Sequence, residues 1–369
     1  MTIVPQHVLI MNPFGIGDVL FTTPLVRAIK CVFPESRIAY LCNRRTQPVL
    51  LGNPHVDEVL VYEKDELDHL WRASPSKWFA RVVRLVRRAH RQRFDLVIDV
   101  SLGERYSFIA RALGIRRVIG FDYRGRGRFL TGCMPISGYQ DVHVVEHYRR
   151  LLAFLGIRLR EARLEMHPPA QDVAWAQAWI AEHRIAGQPM VGIVPAGGVS
   201  WGIDAAYRRW PLEGFATVGD ALITERGAGV ILFGEQSDRG VCGKVAALMR
   251  RAPIDLSGQT TLERFVALLG QLDLVVCNDG GPLHLAVSQG VSTVSVFGPV
   301  DPRVYGPYPA DRTRHRVVLR GDLPCRPCYH NFRLPPCPYE RACLTTITPE
   351  LVLDACAQLL SPRPAAVHG

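Results

Sequence analysis

The chain has 369 residues, 48% of them hydrophobic, with 44 basic and 34 acidic side chains and a net charge of +10. That length accommodates two domains of roughly 100–200 residues each. No apolar run approaches the ~18 residues that span a bilayer, and the opening MTIVPQHVLIM carries no basic leader, so a cytoplasmic protein is expected.

The first predicted element is a strand over 7–11, HVLIM, followed by the turn NPFGIGD and a helix over 18–33. A dinucleotide fingerprint would place a third glycine three residues after Gly17. That place holds Leu20, and Asp18 directly follows Gly17. A carboxylate suits the positive end of a helix dipole but would repel a pyrophosphate, so the turn does not read as a dinucleotide site. Further strands are expected over 37–42, 57–62, 95–100 and 116–121, with helices over 75–93 and 104–114. Near-continuous apolar strands separated by helices imply a parallel sheet covered on both faces.

Much of the excess charge is local. Lys77, Arg81, Arg84, Arg87, Arg88 and Arg91 lie between Arg72 and Arg93, and a second cluster is the loop YRGRGRF at 123–129. These read either as solvated faces or as attraction for an anionic partner, such as a phosphorylated glycolipid or the inner membrane surface. Nucleic acid is not expected, because no stacking motif or helix-turn-helix pattern accompanies the arginines.

The alternation pauses at EMHPPAQD, 165–172, and a helix is expected over 173–185. A second series of strands follows at 190–195, 228–233, 253–257, 272–278 and 292–297. The expected organisation is therefore an N-terminal Rossmann-like domain over 1–167 and a linker with a connecting helix over 168–189. A C-terminal Rossmann-like domain over 190–348 and a helix with tail over 349–369 complete it. Thr348-Pro349-Glu350 marks the start of that last helix. Open parallel sheets bind ligands beyond the C-terminal ends of their strands, which directs attention to the loops after strands.

Three such loops stand out in the second half. Ala196-Gly197-Gly198 follows a strand and leads through a long loop to Arg208-Arg209-Trp210-Pro211. Gly234-Glu235 ends the next strand, with Asp238 nearby. Asn278-Asp279-Gly280-Gly281-Pro282 opens a helix carrying His284, and a further strand closes on FGPVDP. A Gly-Gly turn before a helix offers free N–H groups and a positive dipole end to an anion. The plainer reading is a βα turn in which Asn278 and Asp279 cap the helix.

Ten cysteines divide into six scattered singly and four clustered as Cys325-x2-Cys328-x8-Cys337-x5-Cys343. Four close thiols suit a tetrahedral structural metal, with zinc the default. A redox pair at Cys325 and Cys328, or free thiols, are the rival readings.

In order along the chain, Gly17-Asp18-Val19-Leu20-Phe21-Thr22-Thr23-Pro24 through Ala28-Ile29, the Arg-Arg-Trp-Pro step, and NDGGPLHLA closing to FGPVDP resemble the motifs of glycosyltransferase family 9. These are the heptosyltransferases that use ADP-heptose. The resemblance covers most of 5–360 and implies an α/β GT-B fold of two facing Rossmann-like doubly wound domains. It implies a donor side on the C-terminal domain at Arg208, Arg209, Glu235, Asn278, Asp279, Gly280, Gly281 and His284. The acceptor side would fall on the N-terminal domain at Gly15, Gly17, Thr22 and Thr23, with Asp18 as general base. Arg208 replaces the family's usual lysine, and arginine can still neutralise a diphosphate. No obligatory divalent ion is implied, and no D-x-D motif ends a strand. Cysteine-bound iron is implied only through autotransporter heptosyltransferases of the wider family.

The expected activity is inverting transfer of heptose from ADP-heptose to a lipopolysaccharide core hydroxyl, peripheral to the inner membrane. The alternatives are a protein O-heptosyltransferase, a transferase for another nucleotide sugar, a sugar-nucleotide epimerase or hydrolase of GT-B shape, and a non-catalytic binder. The retained Asp18 speaks against the last.

Overall fold

The computed structural model describes residues 4–63, 91–159, 161–185, 187–197 and 199–360, with a few positions between 73 and 87 and without the side chains of 199–201, 203 and 204. Most of the basic segment expected as a helix over 75–93 therefore lies outside the described residues. The chain divides into two compact units, Met1–His167 and Pro168–Gly369.

The first unit holds strands β1 (His7–Met11), β2 (Arg37–Cys42), β3 (Glu58–Val61), β4 (Leu96–Asp99), β5 (Arg117–Tyr123) and β6 (Gly132–Ile136). Its principal described helices are α1 (Ile16–Val32), α2 (Glu104–Ala112) and α3 (Val144–Leu151). The strands lie in the order β3-β2-β1-β4-β5-β6. Their register runs parallel throughout, with Met11 beside both Leu41 and Asp99.

β1 and β4 are buried almost end to end, as expected for inner strands whose two faces are both covered. β6, GCMPI, was not among the expected strands. Its Pro135 tells against a central strand and is tolerated because β6 is an edge.

α1 shows how local chemistry sustains a helix through a proline. Pro24 has no N–H to give the Leu20 carbonyl, and the Thr23 hydroxyl donates to that carbonyl instead, at 2.8 Å. Thr22 does the same one residue earlier, donating to Val19 O at 2.7 Å and meeting the Tyr40 hydroxyl at 2.6 Å.

The second unit repeats the topology. Its strands are β7 (Met190–Val194), β8 (Gly229–Leu232), β9 (Ile254–Asp255), β10 (Leu274–Asn278), β11 (Ser292–Phe297) and β12 (His315–Leu319), ordered β12-β11-β10-β7-β8-β9. Read from β9, this is the same sequence of positions as in the first sheet, so each sheet reverses strand order between its first and fourth strands. β12, a short HRVVL edge, was also not expected.

The longer described helices of this unit are α4 (Ala170–His183), α5 (Leu212–Arg226), α6 (Arg239–Leu248), α7 (Leu262–Leu269), α8 (Gly281–Ser288) and α9 (Pro349–Leu359). α4 packs on α7, and α9 packs on α5. The core joins Val191, Ile193, Val276 and Val296 of the sheet to Trp210, Phe215, Leu344 and Val352. Gly214 exists for Trp210, because a Cβ there would meet the indole at 2.5 Å.

Candidate active site

In doubly wound sheets the ligand crevice opens at the C-terminal strand ends where strand order reverses. Each unit has one such point, and each carries the residues singled out in the sequence.

In the first unit the point lies between β1 and β4. Asn12 leaves β1 and builds the turn, with its Nδ2 donating to Asp18 O at 3.0 Å and its Oδ1 accepting from Phe14 N at 3.3 Å. From the loop after β2, Asn43 Nδ2 donates to the carbonyls of Pro13 and Phe14. Gly15 is the N-cap of α1, and its N–H donates to Asp18 Oδ2 at 3.0 Å. Asp18 is thus held in the first turn of α1, half-buried, at the helix end whose dipole a carboxylate suits. Capping is a real part of its role, and a carboxylate so fixed and still partly exposed is available to accept a proton.

Thr22 and Thr23 are placed differently from expectation. Both are fully buried. Thr23 also accepts from Glu165 N at 3.0 Å, fastening the 161–167 segment to α1. Their hydroxyls are engaged by the helix and its packing. Gly15 and Gly17 remain in the turn itself.

Asp99, which ends β4 beside Met11, was read only as part of a strand. It is 4% exposed; Oδ1 accepts from Ser101 N at 2.9 Å, and Oδ2 is buried without a well-placed donor. Burial pushes its carboxyl up to about 6, against the pull of hydrogen bonds from Ser101 and Ser107. The available signal was a carboxylate at the C-terminal end of an inner strand, because such ends border the crevice. A carboxyl perturbed in this way beside a strand-order reversal makes Asp99 a candidate functional residue.

In the second unit the point lies between β7 and β10. Gly197 has φ +99° and Gly280 φ +152°, both in the region open to glycine. Gly281 begins α8, with Pro282 just inside the helix and His284 buried in its first turn. The turn therefore presents a helix N-terminus with little side chain in front of it, the arrangement that binds anions.

Asn278 and Asp279 work beneath this turn. Asn278 Oδ1 accepts from Trp210 N at 2.8 Å, while its Nδ2 donates to Pro195 O at 2.8 Å. Asp279 receives Arg208 Nε at 2.9 Å and lies 2.5 Å from Arg208 Nη2, in a pair that is almost wholly buried. Burial pushes the Asp279 carboxyl up, and the guanidinium beside it opposes that. Arg209 donates from Nε and Nη2 to Gly197 O at 3.1 and 2.9 Å. The Arg-Arg-Trp-Pro step is thus the clamp that holds both glycine turns, with Trp210 Nε1 donating to Ile347 O at 3.0 Å.

After β8, Asp238 is buried and accepts from Glu235 N at 3.1 Å, whereas Glu235 is exposed. Of these two carboxylates, Glu235 is the one that a ligand could reach.

The thiol-rich loop is fastened to this unit's strand ends. Cys328 N donates to Pro299 O at 3.0 Å, and Arg326 donates to Gly298 O, Arg320 O and Val300 O. Arg341 Nη1 donates to Ala206 O at 2.8 Å. Cys325, Cys328 and Cys337 are half-buried and Cys343 is buried. Burial and the neighbouring thiols push Cys343 up to about 11. Among the described residues no three His, Cys, Asp or Glu side chains are gathered closely enough to hold an ion. In this structure the four sulfurs are not gathered into the tetrahedral site expected of them. Their loop is tied down by backbone hydrogen bonds, and the Cys337 sulfur accepts from Arg341 N at 3.4 Å.

The sequence model of glycosyltransferase family 9 (heptosyltransferase) matches residues 82–334. The chain is 22% identical to the lipopolysaccharide core heptosyltransferase OpsX of Haemophilus influenzae over 82% of each chain. It is similar in structure to a family 9 glycosyl transferase from Veillonella parvula, at a TM-score of 0.78 and 24% identity, covering 96% of this chain and 97% of that one. It is also similar to the E. coli ADP-heptose lps heptosyltransferase II, at 0.71 and 20%, covering 96% and 99%. These likenesses establish a GT-B fold for the paired Rossmann-like sheets. The chain belongs to glycosyltransferase family 9, the heptosyltransferases.

Proposed function

We propose that this protein moves heptose from ADP-heptose to a hydroxyl of a lipopolysaccharide core acceptor, with inversion at the anomeric carbon. The observation that carries the proposal is the fixed, partly exposed Asp18 carboxylate at the strand-order reversal of the first sheet. The names of the H. influenzae relative and the E. coli structure support the donor and the acceptor class.

The roles follow from the chemistry at each strand-order reversal. Asp18 takes the proton of the acceptor hydroxyl as its oxygen attacks the anomeric carbon. The N–H groups at the start of α8, with Gly280 and Gly281 leaving room for close approach, receive the departing diphosphate. His284 and the Arg208–Arg209 clamp reinforce that positive end, and Glu235 meets ribose hydroxyls. No divalent ion is assigned a step. The protein works in the cytoplasm at the inner-membrane surface.

The test is Asp18→Asn, measured with ADP-heptose and a deacylated core acceptor in solution. Turnover should fall by roughly 10²–10⁴, the range of a general base, with ADP affinity held within a few-fold. Near-normal turnover would leave Asp18 a helix cap and overturn the mechanism. Release of free heptose at equal rate without acceptor would turn the reading to a hydrolase.

A further inference from the structure

A second surface lies on the same C-terminal strand edge of the first sheet as Asp18. α2, which follows β4, buries Ser107 and Ala110 and turns Arg105, Phe108, Ile109 and Ala112 outward, at the i, i+3, i+4 and i+7 spacing of one helix face. Phe108 is 52% exposed and Ile109 40%. The loop after β5 adds Phe129, whose ring meets Phe108 edge-on at 5.1 Å. Exposed Phe108 and Ile109 with half-buried Phe129 form an apolar patch that normal surfaces avoid unless it is used.

The rim of the patch is cationic and held in shape. Arg124, Arg126 and Arg128 are all exposed on one tight loop. Gly127 N donates to Asp122 Oδ1 at 2.9 Å, and a Cβ at Gly127 would strike that carboxylate. Arg124 and Gly125 both take positive φ. Arg128 lies over the Phe129 ring at 4.7 Å and reaches Glu104 at 2.9 Å. Counting Arg105, four exposed arginines thus lie on this helix face and loop, Arg128 over Phe129 and Arg124 and Arg126 over the Tyr123 ring. The nearby carboxylates Glu104 and Asp122 are both already engaged.

We infer that this patch docks the protein on an anionic lipid bilayer, with Phe108, Ile109 and Phe129 entering the headgroup region and Arg105, Arg124, Arg126 and Arg128 meeting lipid phosphates. Aromatic side chains beside a cluster of arginines match both demands of an interfacial anchor, apolar insertion and anionic attraction. The inference rests on the membrane contact proposed above and names the surface that makes it.

The experiment is co-sedimentation of the full chain with vesicles of phosphatidylcholine alone or mixed with phosphatidylglycerol. The parent should pellet with the anionic vesicles, and less so at high salt. Phe108→Ser and the double variant Arg124→Glu/Arg126→Glu should each lower partitioning about tenfold or more. The control Arg250→Glu/Arg251→Glu, with the same charge change on exposed residues of the second unit, should lower it far less. Circular dichroism and ADP affinity confirm that each variant is folded. Equal partitioning of parent and patch variants overturns the inference, and so does a loss in the control as large as in the patch variants. It is equally overturned if Phe108→Ser converts an oligomer to a monomer without changing vesicle binding. Transfer to a deacylated acceptor in solution is measured alongside. Its retention in the patch variants separates failure of the anchor from failure of the proposed reaction.

Discussion

Asp99→Asn isolates the cost of keeping a carboxylate at the first strand-order reversal. Asp99 is 4% exposed, with one oxygen accepting from Ser101 N and the other buried without a well-placed donor. Its carboxyl is pushed up to about 6 by burial, from an ordinary value near 4 in the unfolded chain. Between those values the native state holds more protons than the unfolded state. Stability contributed by this group therefore falls as pH rises from about 4 to about 6 and is flat above. The gap corresponds to roughly 3 kcal/mol of lost stability at neutral pH.

Asparagine does not ionise and can keep the oxygen that accepts from Ser101 N. The variant should therefore gain on the parent with rising pH, whatever constant offset the new amide group brings. Urea unfolding followed by circular dichroism at about pH 4 and about pH 7 measures this. The stability difference between variant and parent should move by about 2 kcal/mol in the variant's favour between the two conditions, the rest having been lost below pH 4. A difference that stays constant across that range would show that Asp99 is ionised throughout, and the reasoning from burial would fail.

Arg208→Ala should destabilise the second unit by about 3–5 kcal/mol, because it leaves the buried Asp279 carboxylate without its partner, and Arg208→Ala/Asp279→Asn should recover part of that in the same unfolding assay. An ADP affinity unchanged in His284→Ala, measured by calorimetry on folded protein, would remove His284 from the diphosphate site. The geometry of the thiol loop predicts four titratable thiols at Cys325, Cys328, Cys337 and Cys343 and no stoichiometric metal in freshly purified, reduced protein. Elemental analysis finding one equivalent of zinc or iron, lost in Cys325→Ser and Cys337→Ser, would refute it.

The inner strands were legible because burial on both faces demands unbroken apolar runs. Residues 7–11, 37–42 and 292–297 are strands over the ranges expected. Of the edges, β3 and β9 fall within the strands expected at 57–62 and 253–257, whereas β6 and β12 were not legible. An edge strand is stabilised by a single neighbour, so its own sequence need carry little pattern, and GCMPI even contains a proline. The glycine turns and Asp18 were visible as residue types after strands, since few other places tolerate Gly-Gly or favour a carboxylate at a helix start.

What only the tertiary structure decided is how polar side chains of those motifs are employed. Thr22 and Thr23 look like ligand contacts in a motif, but the missing N–H of Pro24 and the buried segment around Glu165 claim Thr23, and Tyr40 meets Thr22. Asn278, Asp279, Arg208 and Arg209 look like a donor site in a row. In space Arg208, Asn278 and Asp279 join residues 68 to 83 positions apart, and Arg209 holds Gly197, 12 positions away. A hydrogen bond is short-ranged and directional. A sequence therefore names the donors and acceptors available, and only the folded chain determines which of them meet.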